Sequence, residues 1–366
     1  MSYTYNLPKK IHCERASASH VQGIAVDTEK KYIYVSFTTS LCKYDLDGNL
    51  LGSVIGLTGH LGCLAFNSGD GKVYGSIEYK HDGIGKGIIK ALGNAELAEE
   101  DAFYIAIFDV DKIDRLDMDA EKDGIMTAVY LPEVVADYAG TGEGGAEHRY
   151  CCSGIDGTAI GPIFGAGKDS PTRLFVAYGV YGKVERNDND HQVILQYDWR
   201  EFEKVAKPLS QLAPHHSGID CEEKYFLYTG NTTYGIQNLE YDAFTGDYFA
   251  AVYVGKKPQF PNYAMYRIDG SIASKDAELL GVGESGKLLT LKRAGEFHEE
   301  SGVYGYRFPH GSTGLFSVGD GHFYISHHSR YEAENSTPEK KIYVYATDTN
   351  LYKLVEGTEL FELVND

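Results

Sequence analysis

The sequence predicts an all-β protein, a five-bladed β-propeller of four-stranded antiparallel blades with a helical insertion in the second blade. Three observations predict it: a composition rich in tyrosine and glycine, a hairpin signature that recurs five times, and a further alternating run after each hairpin. The 366 residues include 42 Gly and 29 Tyr against 10 Pro and a single Trp, Trp199, which is what strands joined by tight turns consume. Hydrophobic residues at 43% and charged residues at 24% are ordinary for a chain that buries a core, so disorder is not indicated.

The five copies run over 20–37, 59–79, 151–165 with 173–182, 234–254 and 310–328. Each starts on a glycine or polar residue, turns through Asp and Gly, and returns on an aromatic strand ending in small or polar residues. Gly-Asp-Gly at 69–71 and again at 319–321 supplies the turn, the local chemistry of a β-hairpin. A third alternating run follows at 41–46, 103–110, 193–197, 264–268 and 342–346, and a fourth in most copies, as at 51–55 and 126–131. Four antiparallel strands repeated radially make a propeller blade, and blades stack because none buries both faces alone. The missing Trp-Asp dipeptides argue against the WD40 type.

Irregular repeat lengths have local causes. Residues 85–100, rich in Ala, Leu, Ile, Lys and Glu, predict a helix between strands of the second blade. Residues 132–148 read as an acidic, glycine-rich insertion. Residues 281–309 read either as a long connection or as part of a sixth blade. Ring closure is expected from the run 4–12 or from the run 360–364. The whole chain, 1–366, reads as a single propeller domain.

The formal charge of −19 repels phosphate backbones and anionic membrane surfaces, and no basic stripe offsets it, so neither nucleic acid nor membrane is an expected partner. The first ten residues contain no apolar signal core and no run reaches the roughly 18 residues of a spanning helix, which makes a cytoplasmic location the expectation. Cys13, Cys42, Cys63, Cys151, Cys152 and Cys221 form no C-x-x-C pair, so zinc-knuckle and haem-attachment readings fail and free thiols are expected. Asp117, Asp119, Glu121 and Asp123 alternate like calcium ligands, but the glycine falls at Gly124, outside an EF-hand loop. A solvated acidic loop is the plainer reading.

In a propeller the inner strand of each blade starts on the face where the second strand ends, which places two groups of residues on one rim. Expected there are His20, Gln22, His60, Ser153, Asp156, Gln237, Asn238, Glu240, His310, Ser312 and Thr313 from strand starts, with Glu78, Lys80, Tyr178, Tyr181, Tyr253, His327 and His328 from strand ends. Imidazole, carboxylate and amide converging on one concavity is the composition of a pocket for a polar small molecule. Glu78, Glu240 and Asp156 are the candidate acid–base residues, Glu240 because an otherwise apolar inner strand desolvates its carboxylate. Gln22, Tyr178, Gln237, Asn238, Ser312 and His328 are candidate ligand contacts. His20, His60, His310 and His327 suit a divalent metal such as zinc, manganese or iron; the same histidines also suit polar ligand contact or hydrogen bonding between blades.

Taken together, the segments 20–27, 59–67, 103–115, 192–198, 230–242, 256–263 and 310–328 resemble an uncharacterised bacterial propeller family. Some of its members are joined to domains of the endonuclease/exonuclease/phosphatase type. The likeness spans nearly the whole chain and implies the fold, with no activity attached. A fainter similarity, through Val21-Gln22-Gly23 and Asn238-Leu239-Glu240-Tyr241, is to the five-bladed glutaminyl cyclases, and it implies blade number. The expectation that results is a hydrolase or lyase acting on a sugar or phosphoester at the channel mouth, with a non-catalytic ligand-binding or scaffold propeller as the rival.

Overall fold

Apolar side chains in the hairpin repeats alternate with glycine and small polar residues, and the strands they form pair outward in sequence order around an axis. The computed structural model of the chain describes residues 7–16 and 19–365. The first strand, β1 (Lys10–Ala16), belongs to the last blade. Blade 1 runs β2 (Val21–Asp27), β3 (Tyr32–Phe37), β4 (Ser40–Asp45) and β5 (Leu50–Ile55), with the short β9 (Met118–Asp119) added in parallel. Blade 2 is β6 (His60–Asn67), β7 (Lys72–Tyr79), β8 (Ala102–Phe108) and β10 (Met126–Tyr130), edged by β14 (Lys207–Pro208). Blade 3 is β11 (Cys152–Pro162), β12 (Thr172–Val180), β13 (His191–Tyr197) and β15 (Glu223–Tyr228), extended by β20 (Ser285–Leu288) and β19 (Lys275–Glu278).

Blade 4 is β16 (Thr232–Asp242), β17 (Asp247–Val254) and β18 (Met265–Ile268). Its outer position is taken by single bridges from Tyr306 to Met265 and from Leu291 to Ile268, beside the hairpin β21 (Glu296–His298) and β22 (Val303–Gly305). Residues 281–309 are therefore spent on the edges of blades 3 and 4, and the count is five, not six. Blade 5 is β23 (Leu315–Ser317), β24 (His322–Glu332) and β25 (Tyr343–Leu354).

Both expected closing segments are used. β25 is 12 residues long, enough to hold two short partners end to end on one edge. β1 pairs with its first half, from Lys10 opposite Asn350 to Ala16 opposite Val344; β26 (Phe361–Leu363) pairs with its second. The closing strand lies slightly later than the run 4–12, of which residues 4–6 fall outside the described residues.

The predicted insertion forms α1 (Gly83–Ala91), shorter than expected and followed by irregular chain. Asp82 caps it by accepting from the amides of Ile84 and Gly85, which satisfies two otherwise orphaned donors. The second insertion contributes α2 (Pro132–Ala139), begun by a proline whose missing N–H costs nothing there. Among the described residues no helix is long and apolar enough to cross a membrane.

The apolar core falls into five clusters, one between each pair of neighbouring blades. Tyr34 and Val54 of blade 1 meet Leu61 and Val73 of blade 2; Ile24 and Val26 of blade 1 meet Tyr324 and Leu351 of blade 5, where Ile11 and Cys13 of β1 join them. All six cysteines are free thiols and five are buried. Ile11 is 1% exposed, so a carboxylate there has no water and no partner. Ile11→Asp is expected to lower stability by about 3 kcal/mol or more and to lower Tm markedly in a calorimetric scan; a Tm near wild type would show that β1 is not needed to close the ring.

Candidate functional site

The inner strands start on one face, and their register fixes what lies there. His60 at the start of β6 sits opposite Glu78 near the end of β7. Because side chains alternate along a strand, Glu78 and Lys80 leave on the same side. The Lys80 ammonium lies 2.5 Å from Glu78 Oε1 and 3.6 Å from Asp82 Oδ2, and donates to the Ser153 carbonyl at 2.5 Å. Glu78 Oε2 accepts from the Ile155 amide at 2.9 Å. One residue on, Asp156 accepts from Gln237 Nε2 at 3.0 Å. His60 Nδ1 stands 3.6 Å from both Glu78 Oε1 and Asp156 Oδ1.

This cluster is nearly dry: the Glu78 and Lys80 side chains are each 3% exposed. Burial pushes the Asp156 carboxyl well above the usual carboxylate range, and the charge of Glu78 pushes it further. Glu78 is raised by burial and held back by Lys80. Burial disfavours the Lys80 ammonium, but Glu78 and Asp82 outweigh it and hold the proton on more tightly. His60 is lowered to about 3 by burial and then by Lys80, so its imidazole is neutral near pH 7. α1 covers the outer side of His60, Glu78 and Lys80.

Beside this cluster, a cavity of about 770 Å³ opens between blades 4 and 5. Tyr253, Asn262, Arg307, His310, Ser312 and His327 supply its polar wall, and Val252, Val254 and Pro309 its apolar one. The His310 and His327 rings stack at 3.7 Å and 17°, with His327 Nε2 2.8 Å from the Tyr352 hydroxyl. His20 and His328 form a second, tilted pair at 4.3 Å. Burial lowers all four, His327 to about 4 with the help of His310. Burial raises the Tyr253 phenol in this wall, Ser312 offsets the rise and Asp156 adds to it.

The expected rim residues therefore separate into groups. Glu78, Asp156, His60 and Gln237 come together in the cluster, while His310, His327, His328 and Ser312 line the cavity, with His20 against His328. The four histidines proposed for a metal are divided among these places. Among the described residues no group of three or more His, Cys, Asp or Glu side chains is arranged to hold a metal ion. Asn238 and Gln22 serve the channel wall: Asn238 Nδ2 donates to the carbonyls of Gln22 and Ser312 at 3.0 and 3.1 Å, and Gln22 Nε2 donates to Thr38 Oγ1 at 3.1 Å.

Tyr178 is not on the rim. It is fully buried between blades 2 and 3, where its hydroxyl donates to Asp137 Oδ2 at 2.7 Å; the residue sits on the core side of β12, a face that strand position alone did not resolve. Glu240 lies towards the other end of the channel, accepting from the Ser317 amide at 2.8 Å at the far end of β23, and burial raises it to about 8. Lys80, absent from the expected acid–base set, is the cation on which the cluster turns, and its two-residue spacing from Glu78 was the available signal.

The fold and site thus define a five-bladed propeller with a polar mouth on the face where its inner strands begin. No family model and no curated protein matches the chain. Among solved structures it is similar to a soluble aldose sugar dehydrogenase from Escherichia coli in the apo-form, at 9% identity over 92% of this chain and 99% of that one, with a TM-score of 0.33. The Dos1 propeller is 9% identical over 95% of this chain and 82% of its own, with a TM-score of 0.27. A protein of unknown function from Bacteroides caccae is 10% identical over 74% and 81%, with a TM-score of 0.25. At these values the architecture rests on the chain's own strand pairing.

Two outcomes follow. A Cβ on Gly154 would lie 1.8 Å from Glu78 Oε2, at a φ of +121°, so Gly154→Ala is expected to destabilise the protein by about 2 kcal/mol or more in urea denaturation; a neutral result would mean that Glu78 is free to move. Glu240 binds a proton more tightly folded than unfolded, so its share of stability is present below about pH 4.5 and is lost as pH rises towards its folded value of about 8. Glu240→Gln keeps the acceptor for Ser317 and is expected to lose less stability than wild type between pH 5 and 8, read as a flatter profile of unfolding free energy.

Proposed function

We propose that this propeller is an acid–base enzyme of hydrolase or lyase type acting on an uncharged polyhydroxylated small molecule, a sugar, at the channel mouth. The observation that carries the reading is Asp156: a carboxyl on the inner strand of blade 3, bonded to Gln237 and 3.6 Å from His60, whose burial, and then the neighbouring Glu78 charge, favours the protonated form. A carboxylic acid that keeps its proton at neutral pH can give it to a leaving oxygen. In hydrolysis that oxygen takes the Asp156 proton as its bond to carbon breaks, water adds its oxygen to the carbon, and the water's second proton restores the acid. Elimination uses the same acid with a proton withdrawn from the adjoining carbon by a neighbouring base.

Of the two substrate classes expected from sequence, the lining favours the sugar. The four imidazoles at the mouth have lowered pKa values, and the cationic Arg307 is engaged by Glu296 at 3.0 Å, so little positive charge is available for a phosphate. Neutral imidazole, phenol, hydroxyl and amide groups beside an apolar wall suit hydroxyls and the C–H faces of a sugar ring. A non-catalytic binding propeller is the rival reading, favoured by the extent to which Lys80 and Glu78 already satisfy one another.

The two readings part on one variant. Calorimetric binding and product assays against a panel of neutral mono- and disaccharides are expected to find a substrate whose turnover falls at least about 100-fold in Asp156→Asn while its binding persists. A ligand that binds wild type and Asp156→Asn alike, with no turnover by either, would establish the rival reading; phosphorylated sugars binding more tightly than their neutral parents would overturn the substrate class.

A further inference from the structure

The end of blade 2 remote from His60 and Glu78 carries a second crevice, of about 360 Å³. The turn between β6 and β7 forms one wall and the 3-10 helix Trp199–Lys204, which follows β13, forms another. Trp199 is the chain's one tryptophan. Its ring packs so closely on the turn that a Cβ at Gly69 would lie 3.0 Å from it. Nε1 donates to Thr172 Oγ1 at 3.2 Å, and the Arg200 guanidinium lies 4.4 Å from the ring centroid. The indole is thus fixed in place before any ligand arrives. Tyr74 and Ile107, both buried, close the floor beneath it.

Four charged residues line the same crevice, Asp70, Lys72, Arg200 and Glu203. Two are engaged within the protein: Asp70 accepts from the Tyr74 hydroxyl at 2.7 Å, and Arg200 is held by Asp198 Oδ1 at 3.0 Å and the Thr172 carbonyl at 3.1 Å. Neither the Lys72 ammonium nor the Glu203 carboxylate forms an ion pair with another described residue. A fixed aromatic surface flanked by one uncommitted charge of each sign complements a molecule that carries a flat ring, an ammonium and a carboxylate together.

We propose that this crevice is a binding site for a free aromatic amino acid, with its ammonium at Glu203, its carboxylate at Lys72 and its ring against Trp199. The crevice volume suits one such molecule, at the lower end of the range for small-ligand sites. The inference is independent of the reaction assigned to the channel mouth, since no residue is shared between the two places.

Because Trp199 has no competitor for indole emission, its fluorescence reports this crevice alone. Titration of the full-length protein with L-phenylalanine is expected to give a saturable change with half-saturation below about 1 mM. N-acetylphenylalanine amide, which has the ring without either charge, should give none. Glu203→Gln and Lys72→Met should each weaken phenylalanine binding about tenfold while leaving Tm at the wild-type value. Absence of a saturable response to phenylalanine, an equal response to the amide, or unchanged binding by both variants would overturn the proposal.

Discussion

Five strands that meet around one axis must approach more closely than side chains allow, and this crowding governs the molecule. The inner strands answer it with glycines at or beside their first residues: Gly23, Gly62 and Gly314 approach the next blade, and Gly154 and Gly235 approach the blade before. A Cβ on Gly23 would stand 2.9 Å from the Cys63 backbone of the next blade, and one on Gly314 would stand 2.9 Å from Ile24. The pairing with the second strand slips beside most of these positions, and such irregularities twist a strand and re-aim the side chains that follow. Asp156 and Gln237 lie within slips of this kind. The crowding that makes the ring possible therefore also turns polar side chains towards the mouth.

The buried cluster shows how an acidic chain keeps charge inside its fold. A desolvated carboxylate is costly unless a cation and donors satisfy it, and Glu78 has Lys80 on one oxygen and the Ile155 amide on the other. Lys80 in turn is bonded to blade 3 through Ser153. A second carboxylate at Asp156 finds no such cation, so its charge is disfavoured. Burial raises both carboxyls, Asp156 further because the Glu78 charge adds to its rise while Lys80 offsets the rise at Glu78.

How much of this was legible depended on whether the information was local. The hairpins were readable because Gly-Asp-Gly at 69–71 and 319–321 states its turn in three residues, and the blade count followed from repetition. The helix was located through its composition, although its end was not, because Gly93-Asn94, which stops it with two positive φ angles, is followed by Ala-Glu-Leu-Ala-Glu-Glu, a run of helix formers that stays irregular. Tyr178 was misplaced because inner and outer faces of a strand buried on both sides look alike in sequence. The division of the histidines into a stacked pair, His310 with His327, and a tilted pair, His20 with His328, depends on contacts within blade 5 and between blades 5 and 1 that no local spacing encodes. Blade 4 was the hardest to read, its outer edge being assembled from single bridges at Leu291 and Tyr306 instead of a strand.

The shared edge of β25 brings the two ends of the described chain together: the Lys9 ammonium donates to the Asn365 carbonyl at 2.7 Å. Topologically the ring is then close to a closed curve, with its seam on the outside of blade 5 and not between blades. Opening that curve at a surface turn elsewhere and bridging residues 9 and 365 would preserve the strand order of every blade. Chain entering at residue 9 and chain leaving at residue 365 therefore pass the same point of the surface, although the two positions are 356 residues apart in sequence.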